Sequence, residues 1–408
     1  MRLLTLPARL LRAPKASPAR PAARPEARVP DLDGLRGIAI LLVIAVHTTS
    51  VSFSFLISAS ATSAADVWVN WLQHFGWCGV DLFFVLSGFL ITGILLQAKG
   101  STGWLRNFYI RRALRILPLY YSVLLLRVVL AQSSLWWLKL NPQEWLANLL
   151  HVGNFWQCYT KSSTPPDPGG LLPCWSLAVE EQFYLVWPLI VAATPRSWLK
   201  GVCLAGIVTA IGSRWAMWSL HLDPWFAYVL PFCRMDGLLM GAMVALAAPA
   251  AGRTRMAWLA VAAGAASVVA VCVANPGPFL LGRLMSIIGY TCFDLFFASI
   301  LWLVLAGQPS GWRVLRFLPL RRIGERSFAI YLLHVPAIMF WFPLFNSESA
   351  RVLFRPLCDA AGTTLPYFAA FLACATGTAF LAASVSWVLL ERPMLSLKRH
   401  FPMPESRQ

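Results

Sequence analysis

Long apolar runs, interrupted by short basic segments, set the pattern of this 408-residue chain. A helix needs about 20 such residues to cross roughly 30 Å of hydrocarbon. Ten stretches approach that length: 34–57, 76–98, 114–131, 175–194, 199–219, 226–248, 256–274, 283–306, 326–345 and 364–390. The third is the weakest, because it is short and carries Arg127. The pattern predicts an all-α polytopic membrane protein with about ten transmembrane helices. Residues 135–156 hold Trp136, Trp137, Trp145 and Trp156. They read as an interfacial segment, since indole rings favour the headgroup layer.

Composition agrees with this reading. The chain is 58% hydrophobic and only 12% charged, whereas a soluble domain carries about 25% charged residues. The net charge of +17 does not gather into one patch, so a nucleic-acid partner is not expected. Lys and Arg fall between the apolar runs instead. With the N-terminus inside, the inward segments hold 26 of them and the outward loops 5, while Arg127, Arg214 and Arg234 lie within spans. That asymmetry predicts cytoplasmic termini; the expected location is a bacterial inner membrane. Residues 1–30 are rich in Pro, Ala and Arg and lack an apolar core. They read as a disordered basic cytoplasmic tail, with a transmembrane domain over 31–393 and a second cytoplasmic tail over 394–408. Nine cysteines include no C-x-x-C pair, so no metal site is expected. Cys158 and Cys174 flank the outward loop 157–174 and are a candidate disulfide in an oxidising compartment.

An ionisable group at the centre of a span costs about 2.5–3.5 kcal/mol, so each is a candidate for function. The first span opens Asp31-Leu32-Asp33-Gly34-Leu35-Arg36 and carries His47. Eleven residues of helix put Arg36 and His47 about 20° apart and roughly 16 Å apart along the axis. The cation marks the inner rim and the imidazole lies at mid-membrane, where it can act as a general base. Asp81 and Gly88 share a face of the second span, with Ser87 in the same block. Asp81 suits a buried cation or an acceptor pocket. Arg112 and Arg115 face one way at a helix start; guanidinium forks suit phosphates, and such a cluster also serves as an inner-face anchor. In the fourth span Ser176, Glu180 and Tyr184 recur every four residues. Glu180 is placed to orient an imidazole or bind acceptor hydroxyls, while Glu181 has the simpler alternative of facing water. Arg234 and Asp236 in the sixth span suit internal ion pairing. Gly324, Ser327, Tyr331 and His334 form one stripe in the ninth.

In this order the blocks resemble the acyltransferase-3 family of integral membrane O-acyltransferases. Asp33-Gly34-Leu35-Arg36-Gly37 followed by His47, the Gly79-to-Gly88 block, Arg112-x-x-Arg115 and the Trp175-to-Tyr184 block match its motifs in sequence. So do Arg234-x-Asp236-Gly237, Ser327-to-His334 and Glu391-Arg392-Pro393. The resemblance covers residues 31–393. It implies transfer of an acyl group, usually acetyl, from cytoplasmic acyl-CoA (the donor substrate, with no bound cofactor) to a hydroxyl acceptor, commonly a glycan. It implies that His47 is catalytic and that Arg36, Arg112 and Arg115 serve the donor. Pro173 stands where many relatives carry a histidine. An appended hydrolase-like domain, found in some members, is not expected. The rival class is a glycolipid or acyl-CoA transporter or flippase without chemistry. The lack of inverted repeats argues against it. The acceptor, the acyl chain and the oligomeric state are not encoded in any of these motifs.

Overall fold

The computed structural model describes residues 30–56, 64–130, 142–160, 174–247, 254–275, 280–306 and 310–403. Helices are the regular structure of the described residues, with no strand among them. In order they form α1 (Pro30–Leu56), α2 (Ala64–Phe75), α3 (Cys78–Ala98), α4 (Trp104–Leu130), α5 (Pro142–Leu149) and α6 (Gly153–Tyr159). There follow α7 (Cys174–Ala193), α8 (Leu199–Ser219), α9 (Pro224–Val229), α10 (Pro231–Ala247), α11 (Thr254–Ala274) and α12 (Tyr290–Leu305). The last five are α13 (Leu318–Glu325), α14 (Ser327–Phe345), α15 (Glu348–Ala361), α16 (Leu365–Ser386) and α17 (Arg392–Ser396).

Nine helical segments among the described residues are long and apolar enough to cross a membrane. They match nine of the ten expected stretches, and the protein is a polytopic all-α membrane protein. The exception is 114–131. It forms the C-terminal part of α4, a helix of 27 residues that begins ten residues earlier and carries Arg106, Arg111, Arg112, Arg115 and Arg127. Five guanidinium groups lower its hydropathy although its length suffices. One expected span is broken. The sixth divides into α9 and α10 at Leu230, whose backbone is extended, before Pro231; proline supplies no N–H to continue a helix. The ninth, expected over 326–345, is α14, and the break before it at Arg326 leaves Gly324 in α13, outside the stripe of α14. Short α5 and α6 occupy much of the expected interfacial segment, whereas Trp136 and Trp137 lie outside the described residues, as do 1–29 and 161–173, Pro173 included. Both Cys158 and Cys174 are free thiols, so the expected bridge is not formed. Residues 394–403, expected as tail, dock on α4. Asn107 donates to the Pro402 carbonyl at 2.7 Å, and Arg111 donates to the Phe401 carbonyl at 3.2 Å.

At the centre α3 packs against α1, α7, α10 and α12, most extensively against α10. Glycines make that approach possible. A Cβ on Gly88 would collide with the Leu238 carbonyl, and one on Gly241 with that of Val85. Small residues that let backbones meet are the usual means of joining membrane helices. Beside this contact Arg234 of α10 pairs with Asp81 of α3, both fully buried. Arg214 of α8 pairs with Asp236 at 2.9 Å, and Thr291 donates to the same carboxylate at 2.7 Å. Arg234 also lies 4.3 Å from the Tyr290 ring centroid and 5.3 Å from that of Tyr228. A third carboxylate, Asp294, is buried among them.

Candidate active site

A cavity of about 680 Å³, counting the space at its mouth, opens between α1, α3, α4, α7 and α14. Each helix contributes a stripe set by its own period. On α3 the lining residues are Val80, Phe83, Phe84 and Ser87, at i, i+3, i+4 and i+7. On α7 they are Ser176, Leu177, Glu180 and Tyr184, and on α4 Arg112, Arg115 and Ile116. Arg36 of α1 and Ser327, Phe328 and Tyr331 of α14 complete the wall. The helical arithmetic that placed Ser176, Glu180 and Tyr184 on one face is thus realised.

The polar groups hold one another. Ser87 Oγ donates to Glu180 Oε1 at 2.8 Å, and the Tyr184 hydroxyl donates to Glu180 Oε2 at 3.1 Å. Both carboxylate oxygens are therefore engaged by the cavity wall, not by an imidazole. The Arg112 guanidinium lies 3.9 Å from the Tyr184 ring centroid, and its buried Nε has no hydrogen-bond partner. Arg36 meets Asp33 at 3.5 Å. The Ser176 hydroxyl and the Tyr331 hydroxyl share a 2.5 Å hydrogen bond between α7 and α14. Glu181, which had the alternative of facing water, is half-buried, and its buried Oε1 has no partner.

The two membrane histidines meet beyond this wall. The ring centroids of His47 and His334 are 4.9 Å apart in an edge-on arrangement, and that of Tyr331 is 5.5 Å from that of His334. His47 is not among the lining groups; His334 and Tyr331 connect it to the cavity. Its ring turns toward α14 inside the protein. His47 Nδ1 lies 2.7 Å from the Val43 carbonyl, and His334 Nδ1 lies 2.5 Å from that of Tyr331. A carbonyl oxygen only accepts, so each neutral ring carries its proton on Nδ1 and a lone pair on Nε2. An Nε2 lone pair is what a general base presents.

The structure thus brings Arg36, Arg112, Arg115, Ser87, Ser176, Glu180, Tyr184, Ser327 and Tyr331 to one cavity, with Asp33, His47 and His334 at its margins. It does not bring Asp81, Arg234 or Asp236 there; these belong to the ion-pair cluster behind α3. That cluster includes Arg214 and Asp294, which the reading of motifs did not single out. Their signal was simple: each is an ionisable residue inside an apolar run. Among the described residues no group of His, Cys, Asp and Glu is arranged to hold a metal ion.

Fold and cavity together define a helical membrane protein with an arginine-bearing polar site inside its bundle. The acyltransferase-domain family model matches residues 29–385, and the chain belongs to the acyltransferase-3 family. It is 30% identical over 399 residues to the peptidoglycan O-acetyltransferase OatA of Listeria monocytogenes serovar 1/2a, covering 90% of this chain and 56% of that protein. YrhL of Bacillus subtilis, provisionally named a peptidoglycan O-acetyltransferase, is 31% identical over 345 residues, covering 78% of this chain and 49% of its own. A provisionally named O-acetyltransferase of Staphylococcus aureus (strain COL) is 30% identical over 235 residues, covering 54% of this chain and 35% of its own. The chain spans about half the length of the first two of these relatives. No solved structure matches it.

Proposed function

We propose that this protein is a membrane-embedded O-acetyltransferase that moves an acetyl group from cytoplasmic acetyl-CoA to a hydroxyl of an envelope glycan. The observation that carries the reading is the cavity itself. Three arginines line it together with a Ser87–Glu180–Tyr184 cluster, and two imidazoles with Nε2 lone pairs lie one side chain further on. Arg36, Arg112 and Arg115 hold the donor's phosphates by charge-assisted hydrogen bonds. The acyl thioester then extends toward Tyr331 and the histidines. The 26-to-5 charge asymmetry supports an inward-facing donor side and cytoplasmic termini in a bacterial inner membrane. Peptidoglycan is the acceptor in the relatives' names, which makes a polysaccharide hydroxyl the first acceptor to test.

In the chemical step the acceptor oxygen bonds to the thioester carbonyl carbon while His47 Nε2 takes the hydroxyl proton. The C–S bond then breaks, and the departing thiolate receives that proton, leaving free CoA. An acyl-imidazole route uses the same atoms in two steps, with Nε2 attacking first. Trapping acetylated His47 by mass spectrometry in the absence of acceptor separates the two routes. Incubating purified protein with labelled acetyl-CoA and counting CoA release tests the function. A flippase or transporter, the other class of protein that buries ion pairs in a bundle, would release none.

A further inference from the structure

His334 lies near the middle of α14 and is fully buried. Its Nδ1–H is spent on the Tyr331 carbonyl, so its remaining polar atom is Nε2, which carries a lone pair. That atom is closed to solvent and has no hydrogen-bond partner. A buried acceptor left unsatisfied is costly, and a closed one is served only by a donor of the protein itself. The hydroxyls nearby in the chain are committed elsewhere. Tyr331 shares its hydroxyl's hydrogen bond with Ser176, and Thr48 and Thr49, next to His47 on α1, donate to carbonyls of their own helix. The imidazole against His334 is that of His47, with centroids 4.9 Å apart and ring planes at 69°. While neutral, His47 has no proton to offer there, because its own sits on Nδ1 against the Val43 carbonyl. That changes when His47 takes a proton. Its Nε2 becomes a donor, and His334 Nε2 is the unfilled acceptor on the ring beside it.

We propose that His334 is a positioning residue for the transfer step: its Nε2 accepts a hydrogen bond from the Nε2–H of the His47 imidazolium and holds that proton until the thiolate departs. The inference rests on the reading of His47 as the base and gives the second imidazole a role of its own. The acceptor's O–H bond breaks as its oxygen bonds to the thioester carbon, and the proton rests on His47 Nε2, bonded to His334 Nε2. When the C–S bond breaks, the sulfur takes the proton and both rings are neutral again. A hydrogen bond made only by the charged ring stabilises the transition state and not the resting enzyme. It therefore acts on kcat and leaves donor binding alone.

The test compares two amides at position 334 in the full chain in nanodiscs. Labelled acetyl-CoA is the donor, soluble peptidoglycan fragments are the acceptor, and kcat is counted per folded molecule. His334→Asn keeps a donor near the place of Nδ1 and has nothing at Nε2, whereas His334→Gln puts an amide oxygen near the place of Nε2. His334→Asn lowers kcat about ten- to a hundredfold at unchanged KM for acetyl-CoA, the effect of one hydrogen bond to a charged group. His334→Gln retains most of the wild-type kcat. A histidine that only anchors α14 through Nδ1 gives the opposite order, so Asn matching or exceeding Gln overturns the proposal. So does a raised KM at unchanged kcat. Acetylated His47 trapped from wild-type protein, with Nε2 occupied and no proton to share, overturns it as well. Wild-type protein that releases no CoA, or His47→Ala that still does, refutes the reading of His47 as the base and the inference together. Turnover lost in His47→Ala but unmoved by either substitution of His334 refutes the inference alone.

Discussion

Replacing Arg234 with Met should destabilise the protein far more than replacing Asp81 with Asn, although the two residues form one ion pair. The reason is the charge count around them. Asp81, Asp236 and Asp294 face Arg214 and Arg234, and all five side chains are essentially inaccessible to solvent. Arg234→Met leaves three carboxylates beside one guanidinium. Removing one partner from a buried pair costs about 3–5 kcal/mol, and here two neighbouring acids share the loss. Asp81→Asn leaves two of each sign. Arg234 then keeps Asp294 and Asp236 within electrostatic reach and its contacts with Tyr290 and Tyr228. The asparagine oxygen still accepts a hydrogen bond, so the cost is about 1–2 kcal/mol. The double variant leaves two carboxylates beside one guanidinium and should be more stable than Arg234→Met alone. Buried Cys78, Cys203 and Cys233 are free thiols and report unfolding to a thiol-reactive dye. The expected order of melting midpoints is wild type, Asp81→Asn, double variant, Arg234→Met. If Asp81→Asn melts at or below Arg234→Met, or the double variant falls below both, the charge count is not what governs the cluster.

His47→Ala, purified in folded form, should release no CoA from acetyl-CoA, and unchanged turnover would remove the imidazole from the chemistry. Arg112→Gln should raise the KM for acetyl-CoA about tenfold with a smaller effect on kcat, as expected for one charged contact to the donor; steady-state kinetics check it. Gly88→Leu should abolish folded expression, because its side chain has no room against the Leu238 backbone; size-exclusion profiles report the outcome. His151 stacks on Tyr120 with ring centroids 4.4 Å apart, and burial holds its pKa below the ordinary value of 6.5. Its neutral form therefore contributes stability above pH 6.5 that is lost as the pH falls below that value. His151→Phe keeps the stack and should flatten the fall in melting midpoint between pH 6.5 and 5.

Much of the fold was legible because a bilayer admits few solutions: every backbone group in it must be bonded within a helix or barrel. Nine spans followed from apolar run length. The start of α4 did not, since hydropathy rewards apolar runs while the helix runs through Trp104–Ala113, where Arg106, Arg111 and Arg112 interrupt them. The break at Leu230 had a cue in Pro231, but the one at Arg326 had none. In the site, the stripe of Ser176, Glu180 and Tyr184 was readable from the helical period. What those residues touch was not. Glu180 and Ser87 are 93 positions apart in sequence, and Arg234 and Asp81 are 153 apart. A motif marks a polar residue inside a span without naming its partner: Glu180 was expected to orient an imidazole or to bind acceptor hydroxyls, and the structure places it between the Ser87 and Tyr184 hydroxyls of the cavity wall.

The geometry of α3 explains why polar residues of one short block fall into two systems. Val80, Phe83, Phe84 and Ser87 form its cavity face, while Asp81 and Gly88 turn toward α10. Phe84 belongs to both, lining the cavity and lying 5.8 Å, centroid to guanidinium, from Arg234. The ion-pair cluster is thus one ring's thickness from the cavity and holds the helix that presents Ser87 to Glu180. A loss of turnover in an Asp81 or Arg234 variant consequently has two possible origins, and the folded fraction separates them. If the cluster acts by holding α3, turnover per folded molecule stays near wild type while the folded fraction drops. His47→Ala should do the reverse. A variant of Asp81 that is fully folded yet inactive would place the cluster in the chemistry and break the division drawn along α3.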